Sequence, residues 1–340
     1  MPRRLRLCKS LILKRRASSL CPQTLEHRTP LISRRALLLS AGSLLTAGND
    51  YDSPGAIYRA LRTQPAERLD VPGGQIDIVF ADGAPGLDRQ RVRRWIELGA
   101  RAVSTYYGRY PTQRHGLLII ADNSDRVGGA TTWGYNGSIT RVHVGREATE
   151  AAFAKDWVLV HEMVHTAIPD MPRRALWFEE GNATWIEPIA RAQAKQLTAA
   201  EMWNQALKGM PQGIRGASAG GMDGTQEWGR LYWGGAIFWM LAEIAVYEQS
   251  RGRALLRDAL RAINREARED STPEQVMARG DTATGTSALQ SQYKAFAFGS
   301  PRIDLAATFK RLGVARDSSG AIRFDSSAEL ASLTSRITQA

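Results

Sequence analysis

The residues best suited to chemistry fall in two neighbouring segments. His161-Glu162-Met163-Val164-His165 forms an H-E-x-x-H sequence, and Trp177-Phe178-Glu179-Glu180-Gly181-Asn182-Ala183-Thr184-Trp185 follows it. Residues four apart share one face of an α-helix, so His161 and His165 can present two imidazole nitrogens to one ion. Glu162 is rotated about 100° from His161, which sets its carboxylate beside that ion rather than on it. A catalytic tetrahedral zinc site uses three protein ligands and keeps a fourth position for water, and a neighbouring carboxylate can take that water's proton. Two ligands are thus in hand, and the second segment offers candidates for the third.

Two histidines four apart also occur in plain cores. The flanks here (Trp157, Val158, Leu159, Val160, Val164, Ile168) are apolar and point to a buried helix, where two histidines and a glutamate without partners would be costly. Two of the chain's five histidines lie in this one segment.

Together the two segments resemble the gluzincin metallopeptidases, the superfamily of thermolysin. In the aminopeptidase branch of that superfamily, the H-E-x-x-H helix is followed by a helix opening W-L-x-E-G-x-A-x-Y, whose Glu before Gly is the third zinc ligand. The resemblance implies Zn2+ held by His161, His165 and Glu180, with Glu179 in the variable position. Phe178 stands for the usual Leu and Trp185 for the usual Tyr. The linker, residues 166–179, is short and closer to compact peptidase-MA-like proteins, which puts aminopeptidase specificity in doubt but not the metal site. The likeness covers roughly residues 128–240.

It also implies a mechanism, in which Glu162 removes a proton from the attacking water and returns it to the leaving amine. Tyr232, near the start of an apolar downstream segment, occupies the place where several such enzymes put an oxyanion-stabilising hydroxyl; Tyr247 is a weaker competitor. An edge strand before the zinc helix binds extended substrate in this superfamily. Residues 129–133 or 140–144 are the candidates, with Gly129, Ala130 and Thr131 at the centre of the first. Thr184, one helical turn after Glu180, is a candidate to support the ligand from behind. The expected activity is peptide-bond hydrolysis by a secreted zinc metallopeptidase. The alternatives are a noncatalytic extracytoplasmic zinc-binding scaffold and a zinc hydrolase of a non-peptide amide, and the retained Glu162 argues against the scaffold. Endo- or exopeptidase action, side-chain preference and oligomeric state are not encoded in these motifs.

The net charge of +11 would suggest a nucleic-acid partner if it were spread over the chain. It is not: ten of the 45 Lys and Arg residues, but one of the 34 acidic ones, lie in residues 1–48. The body is close to neutral and carries no nucleic-acid signal. The leader has Ser33-Arg34-Arg35-Ala36-Leu37-Leu38 ahead of an apolar run that ends in small residues at Ala47-Gly48. A basic segment, a short apolar region and a small-residue exit make an export signal, and the paired arginines resemble the twin-arginine type. A general secretory signal or an uncleaved anchor would share this layout. Residues 1–30 are expected to lie upstream of a signal of ordinary length. Both cysteines, Cys8 and Cys21, lie in the leader, so the expected mature chain has no disulfide, no thiolate nucleophile and only His and carboxylate for a zinc site.

Periodicity predicts an α+β fold: a small mixed or antiparallel sheet region (49–150), a mainly helical zinc-binding region (151–314), and a polar, peripheral tail (315–340) after the leader (1–48). The first region should hold a helix over 56–69, strands over 75–80 and 115–121, a helix over 87–107, and a hairpin of 128–133 with 138–144. His143 alternates with apolar neighbours and should face away from the core. The second region should hold the zinc helix from 150 or 151 to 168 and a helix over 180–192 interrupted by Pro188. Further helices are expected over 197–210, 231–241, 253–265, 273–279 and 288–296, with a Gly- and Ser-rich loop over 211–226.

Overall fold

The computed structural model describes residues 51–134, 137–214 and 221–340. The leader with its twin-arginine-like signal lies outside the described residues, as does part of the predicted 211–226 loop.

The chain opens with helix α1 (Pro54–Thr63), capped by the Ser53 side chain at the Ala56 N–H. The helix expected to reach residue 69 stops here instead. Gln64 precedes a proline and is extended, the conformation that a following Pro imposes. The next residues form strand β1 (Ala66–Val71), which turns back into β2 (Gly74–Phe80). Helix α2 (Arg89–Tyr107), β3 (Arg114–Asp122), β4 (Val127–Trp133) and β5 (Ser138–Gly145) follow. The strand order is β1-β2-β3-β5-β4, with β3 parallel to both neighbours and the outer pairs antiparallel. Strand β5 is therefore paired on both sides and cannot offer a free edge, which removes residues 140–144 as a substrate strand. Strand β4 is an edge.

Strand alternation splits the sheet's apolar residues between two faces. Val79, Leu118, Trp133 and Ile139 pack with Ile57 of α1. Ile78, Leu117, Ile119, Val142 and Val144 face the helices, in a core that continues from Ile76 to Ile337.

The helical region begins with α3 (Glu150–Lys155), α4 (Val158–His165) and α5 (Leu176–Gln193). The single zinc helix expected from residue 150 to 168 is thus two helices. The break is an N-cap: the Asp156 carboxylate accepts from Val158 N–H at 3.1 Å and Leu159 N–H at 3.2 Å, while Trp95 Nε1 donates to it at 3.1 Å. Helix α5 starts four residues before the expected Glu180 and continues through Pro188. Sixteen of its 18 residues are buried, and that packing outweighs the backbone hydrogen bond the proline removes.

Next come α6 (Ala199–Ile214), which continues through Pro211 where a loop was expected, and α7 (Gly235–Gln249), entered from a π-helical turn at Arg230–Gly234. Helices α8 (Leu256–Glu266), α9 (Pro273–Thr284), α10 (Ala288–Phe298) and α11 (Leu305–Leu312) complete the bundle. The tail is not a polar periphery. A small hairpin, β6 (Val314–Arg316) with β7 (Ile322–Phe324), leads to α12 (Ala331–Ile337). Leu330, Leu333 and Ile337 are buried in the main core, and Gln193 Nε2 donates to the Ile337 carbonyl at 2.8 Å. Their three- and four-residue spacing makes one apolar helical stripe. Among the described residues, no helix is long and apolar enough to cross a membrane.

Helices α5 and α7 meet where neither has a side chain. A Cβ built on Gly181 would lie 2.3 Å from Gly235 Cα, and one on Gly235 would lie 2.2 Å from the Trp177 carbonyl oxygen. Gly181 directly follows Glu180, and Gly235 lies three residues after Tyr232, so this crossing sets the spacing of two site residues. In an ordinary exposed helix, Gly→Ala gains about 1 kcal/mol from propensity. Here Gly181→Ala should instead destabilise by about 1–3 kcal/mol through overpacking and lower the melting temperature by roughly 2–6 °C. A melting temperature equal to or above wild type would show that the helices do not cross this closely.

Candidate metal centre

Helix α4 is eight residues long, and all eight are buried. It carries His161 and His165 on the face turned toward α5, where Glu180 sits in the second turn. The three donor atoms converge. His161 Nε2 lies 3.2 Å from Glu180 Oε2, His165 Nε2 lies 3.3 Å from His161 Nε2, and His165 Nε2 lies 3.6 Å from Glu180 Oε2. Zinc bonds to nitrogen and oxygen of about 2.0–2.1 Å in tetrahedral geometry put donor atoms about 3.3–3.4 Å apart. The three separations match those edges. Among the described residues this is the one group of three or more His, Cys, Asp or Glu side chains close enough to share an ion.

The electrostatics also suit a cation. Burial works against a charge on His165, yet the Glu180 carboxylate, with help from Glu162 and Glu179, lifts its pKa to about 9. Burial likewise opposes ionisation of Glu180, but His165 and His161 hold it at about 2. The cluster draws positive charge to the point where its donors converge. Glu162 is completely buried, and neither of its carboxylate oxygens meets a hydrogen-bond donor among the described residues; the same holds for Glu180 Oε1. A buried carboxylate without partners is expensive, and an ion with its water would relieve that cost. The residues present therefore fit zinc.

Glu179 turns the other way. Its carboxylate accepts from the Met171 N–H at 2.6 Å and pins the short connection between α4 and α5, which leaves Glu180 for the ion as the motif implied.

No protein-family model matches this sequence, and no curated protein matches it. Among solved structures, an aminopeptidase N family protein from Idiomarina loihiensis matches with a TM-score of 0.55 and 13% sequence identity, over 74% of this chain and 49% of that one. An M1 zinc metallopeptidase from Deinococcus radiodurans matches with a TM-score of 0.45 and 14% identity, over 71% of this chain and 53% of that one. This chain spans about half the length of either. The chain shares its α+β fold with the part of the aminopeptidase N family protein that it covers.

Tyr232 sits in the π-helical turn before α7, a local irregularity that often marks functional positions. Its ring stacks on His161 at 5.8 Å between centroids and on Trp228 at 5.3 Å. Tyr247 lies near the far end of α7, about 20 Å away along the helix axis, with the Arg336 guanidinium over its ring, and drops out as a competitor. Thr184 meets the backbone of Glu180. Its hydroxyl donates to the Glu180 main-chain carbonyl at 2.7 Å, and its side chain lines a cavity beside the metal cluster. Gly129, Ala130 and Thr131 lie on β4; Gly129 falls within an irregularity between Val127 and Ala130, and pairing with β5 resumes at Ala130 and Thr131. His143 is half-buried on β5, outside the donor cluster.

Sequence reading missed that cavity. It measures about 330 Å3 and is lined by Trp157, Trp228, Tyr232 and Trp233 together with Thr184 and Lys208. Trp157 and Trp228 are 40% and 46% exposed, unusually wet for indole rings. Trp233 is seated against Gly209, where a Cβ would come within 2.2 Å of the ring. Trp157 was visible as a flank of the motif, but nothing in the spacing links it to residues 70 positions later.

Elemental analysis of purified protein should find one zinc per chain. His161→Ala and Glu180→Ala should each lose it. Full stoichiometric zinc in both variants would remove these residues from the site.

Proposed function

We propose that the protein is an exported zinc-dependent metallopeptidase. The observation that carries this reading is the Glu162 carboxylate, fully buried and without a donor for either oxygen, next to three convergent ligands. A noncatalytic zinc site gains nothing from such a group, whereas hydrolysis needs a base there. Zinc held by His161, His165 and Glu180 would supply Lewis-acid chemistry, polarising a carbonyl and making water more acidic. Glu162 accepts the proton as water attacks and delivers it to the leaving amine. Tyr232, stacked on His161, donates its hydroxyl to the oxyanion that develops.

Substrate binding follows from the surroundings. The free edge of β4, through Gly129, Ala130 and Thr131, takes an extended peptide as an added strand. The aromatic cavity beside His161 takes a large apolar side chain near the scissile bond, which would cover the exposed Trp157 and Trp228 rings. Export rests on the leader's paired arginines and apolar run.

The test is cleavage of a mixed peptide library by wild type and variants. Glu162→Gln should keep zinc and fold yet lose turnover by at least about 10²-fold, because an amide cannot accept the proton. Tyr232→Phe should keep zinc and stability and lose roughly 10²-fold in turnover rather than affinity. Trp228→Ala should weaken the preference for bulky apolar residues. Near-normal turnover in Glu162→Gln would end the mechanism. Turnover within about threefold of wild type in Tyr232→Phe would remove Tyr232 from it, and a library profile blind to side-chain size would reject the cavity's role.

A further inference from the structure

A buried line of side chains runs from the middle of the sheet to the backbone of Glu162. The Tyr110 hydroxyl lies 2.6 Å from His115 Nδ1, and His115 Nε2 lies 2.8 Å from Thr140 Oγ1. Thr140 Oγ1 lies 2.7 Å from Thr132 Oγ1, which lies 3.1 Å from the Glu162 main-chain carbonyl oxygen. All five residues are buried. The line crosses three elements, β3 at His115, β5 at Thr140 and the edge strand β4 at Thr132, before it reaches α4.

The direction of every proton follows from the last acceptor. A carbonyl only accepts, so Thr132 donates to Glu162. Its own oxygen then accepts from the Thr140 hydroxyl. Thr140 accepts in turn from His115, which must carry its proton on Nε2. The remaining Nδ1 accepts from Tyr110. Reversing either the Thr140–Thr132 or the His115–Thr140 link would leave two acceptors face to face in the core, and the Tyr110 link keeps its direction as long as the ring is neutral. Burial pushes the His115 pKa down to about 3, so the ring stays neutral and has one proton to give.

The far end explains why the line exists. In a continuing helix the Glu162 carbonyl would accept from the Thr166 N–H. Helix α4 ends at His165, and the Thr166 N–H bonds Met163 O at 3.2 Å instead. The carbonyl of Glu162 is one of the unsatisfied groups that every helix C-terminus leaves, and it is buried. The Thr132 hydroxyl, from the strand whose other edge is free, supplies its donor.

We propose that Thr132, aligned by Thr140, His115 and Tyr110, is a positioning residue that fixes the register of the edge strand against Glu162. The proposal rests on the reading of Glu162 as proton acceptor and of β4 as the substrate strand. One hydrogen-bonded unit then sets the distance between a peptide laid along β4 and the carboxylate that serves it. Loss of the hydroxyl lets the strand and the helix shift relative to each other, and small misplacements of reacting groups cost rate steeply.

Thr132→Val keeps the shape and removes the donor, and Thr132→Ser restores it. With peptide substrate, Thr132→Val should lose about 10-fold or more in kcat, with KM within about threefold of wild type and zinc still stoichiometric. Thr132→Ser should recover most of that loss. A Val variant with kcat within twofold of wild type overturns the proposal, as does a loss confined to KM, a loss of zinc, or a Ser variant as impaired as Val. The wild-type protein gives a readout that needs neither a variant nor activity. The 15N shifts of His115 should show a neutral ring protonated on Nε2 from pH 5 to 8, and an Nδ1-protonated or charged ring overturns the chain of donors. Failure of peptide hydrolysis in the wild type would instead count against the peptidase reading, and the His115 measurement would stand apart from it.

Discussion

Two imidazoles and two carboxylates share a buried space between α4 and α5, and most of what surrounds them serves to hold them there. Such a cluster is costly to bury. A proton on His165 stabilised by Glu180 lowers part of that cost, and neither oxygen of the Glu162 carboxylate meets a donor among the described residues. The three donors that could hold a cation converge in the folded chain whatever it is compared with.

The surrounding structure is consistent with that constraint. Helix α4 is only eight residues long, too short to be stable by itself, and it is held at both ends by side chains from elsewhere. Asp156 and Trp95 fix its start, and Thr132 meets the carbonyl of Glu162 near its end. Helix α5 brings Glu180 in at a fixed height because Gly181 lies against Gly235. The same contact places the turn that carries Tyr232 next to His161. Removing side-chain bulk at one crossing thus determines where a ligand and a candidate oxyanion donor stand.

The clustering of the candidate donors was legible in the sequence because it is local. His161, Glu162 and His165 lie within one helical turn, and the Glu-Gly pair marks the partner helix. Strands β2, β3, β4 and β5 were legible for the same reason, through short apolar or alternating runs and the glycines between β4 and β5. What stayed hidden depends on contacts distant in the chain. The order of β4 and β5 in the sheet decides which of them has a free edge, and neither strand states it. The cavity gathers Trp157 with Trp228 and Trp233, and the line behind Glu162 gathers Tyr110, His115, Thr132 and Thr140, residues that read individually as ordinary core. Some missed features did carry a local signal: Asp156, a capping residue just before an apolar run, Pro65, which ends α1, and the Leu330, Leu333 and Ile337 stripe in the tail.

The central claim is that His161, His165 and Glu180 hold zinc in an open tetrahedral site. Zinc-edge X-ray absorption on protein carrying one equivalent of zinc tests it most directly. The account predicts four light-atom ligands at about 2.0–2.1 Å, with outer-shell scattering from two imidazoles that falls to one in His165→Ala. A six-coordinate oxygen shell without imidazole scattering, or a spectrum unchanged by that substitution, would contradict it.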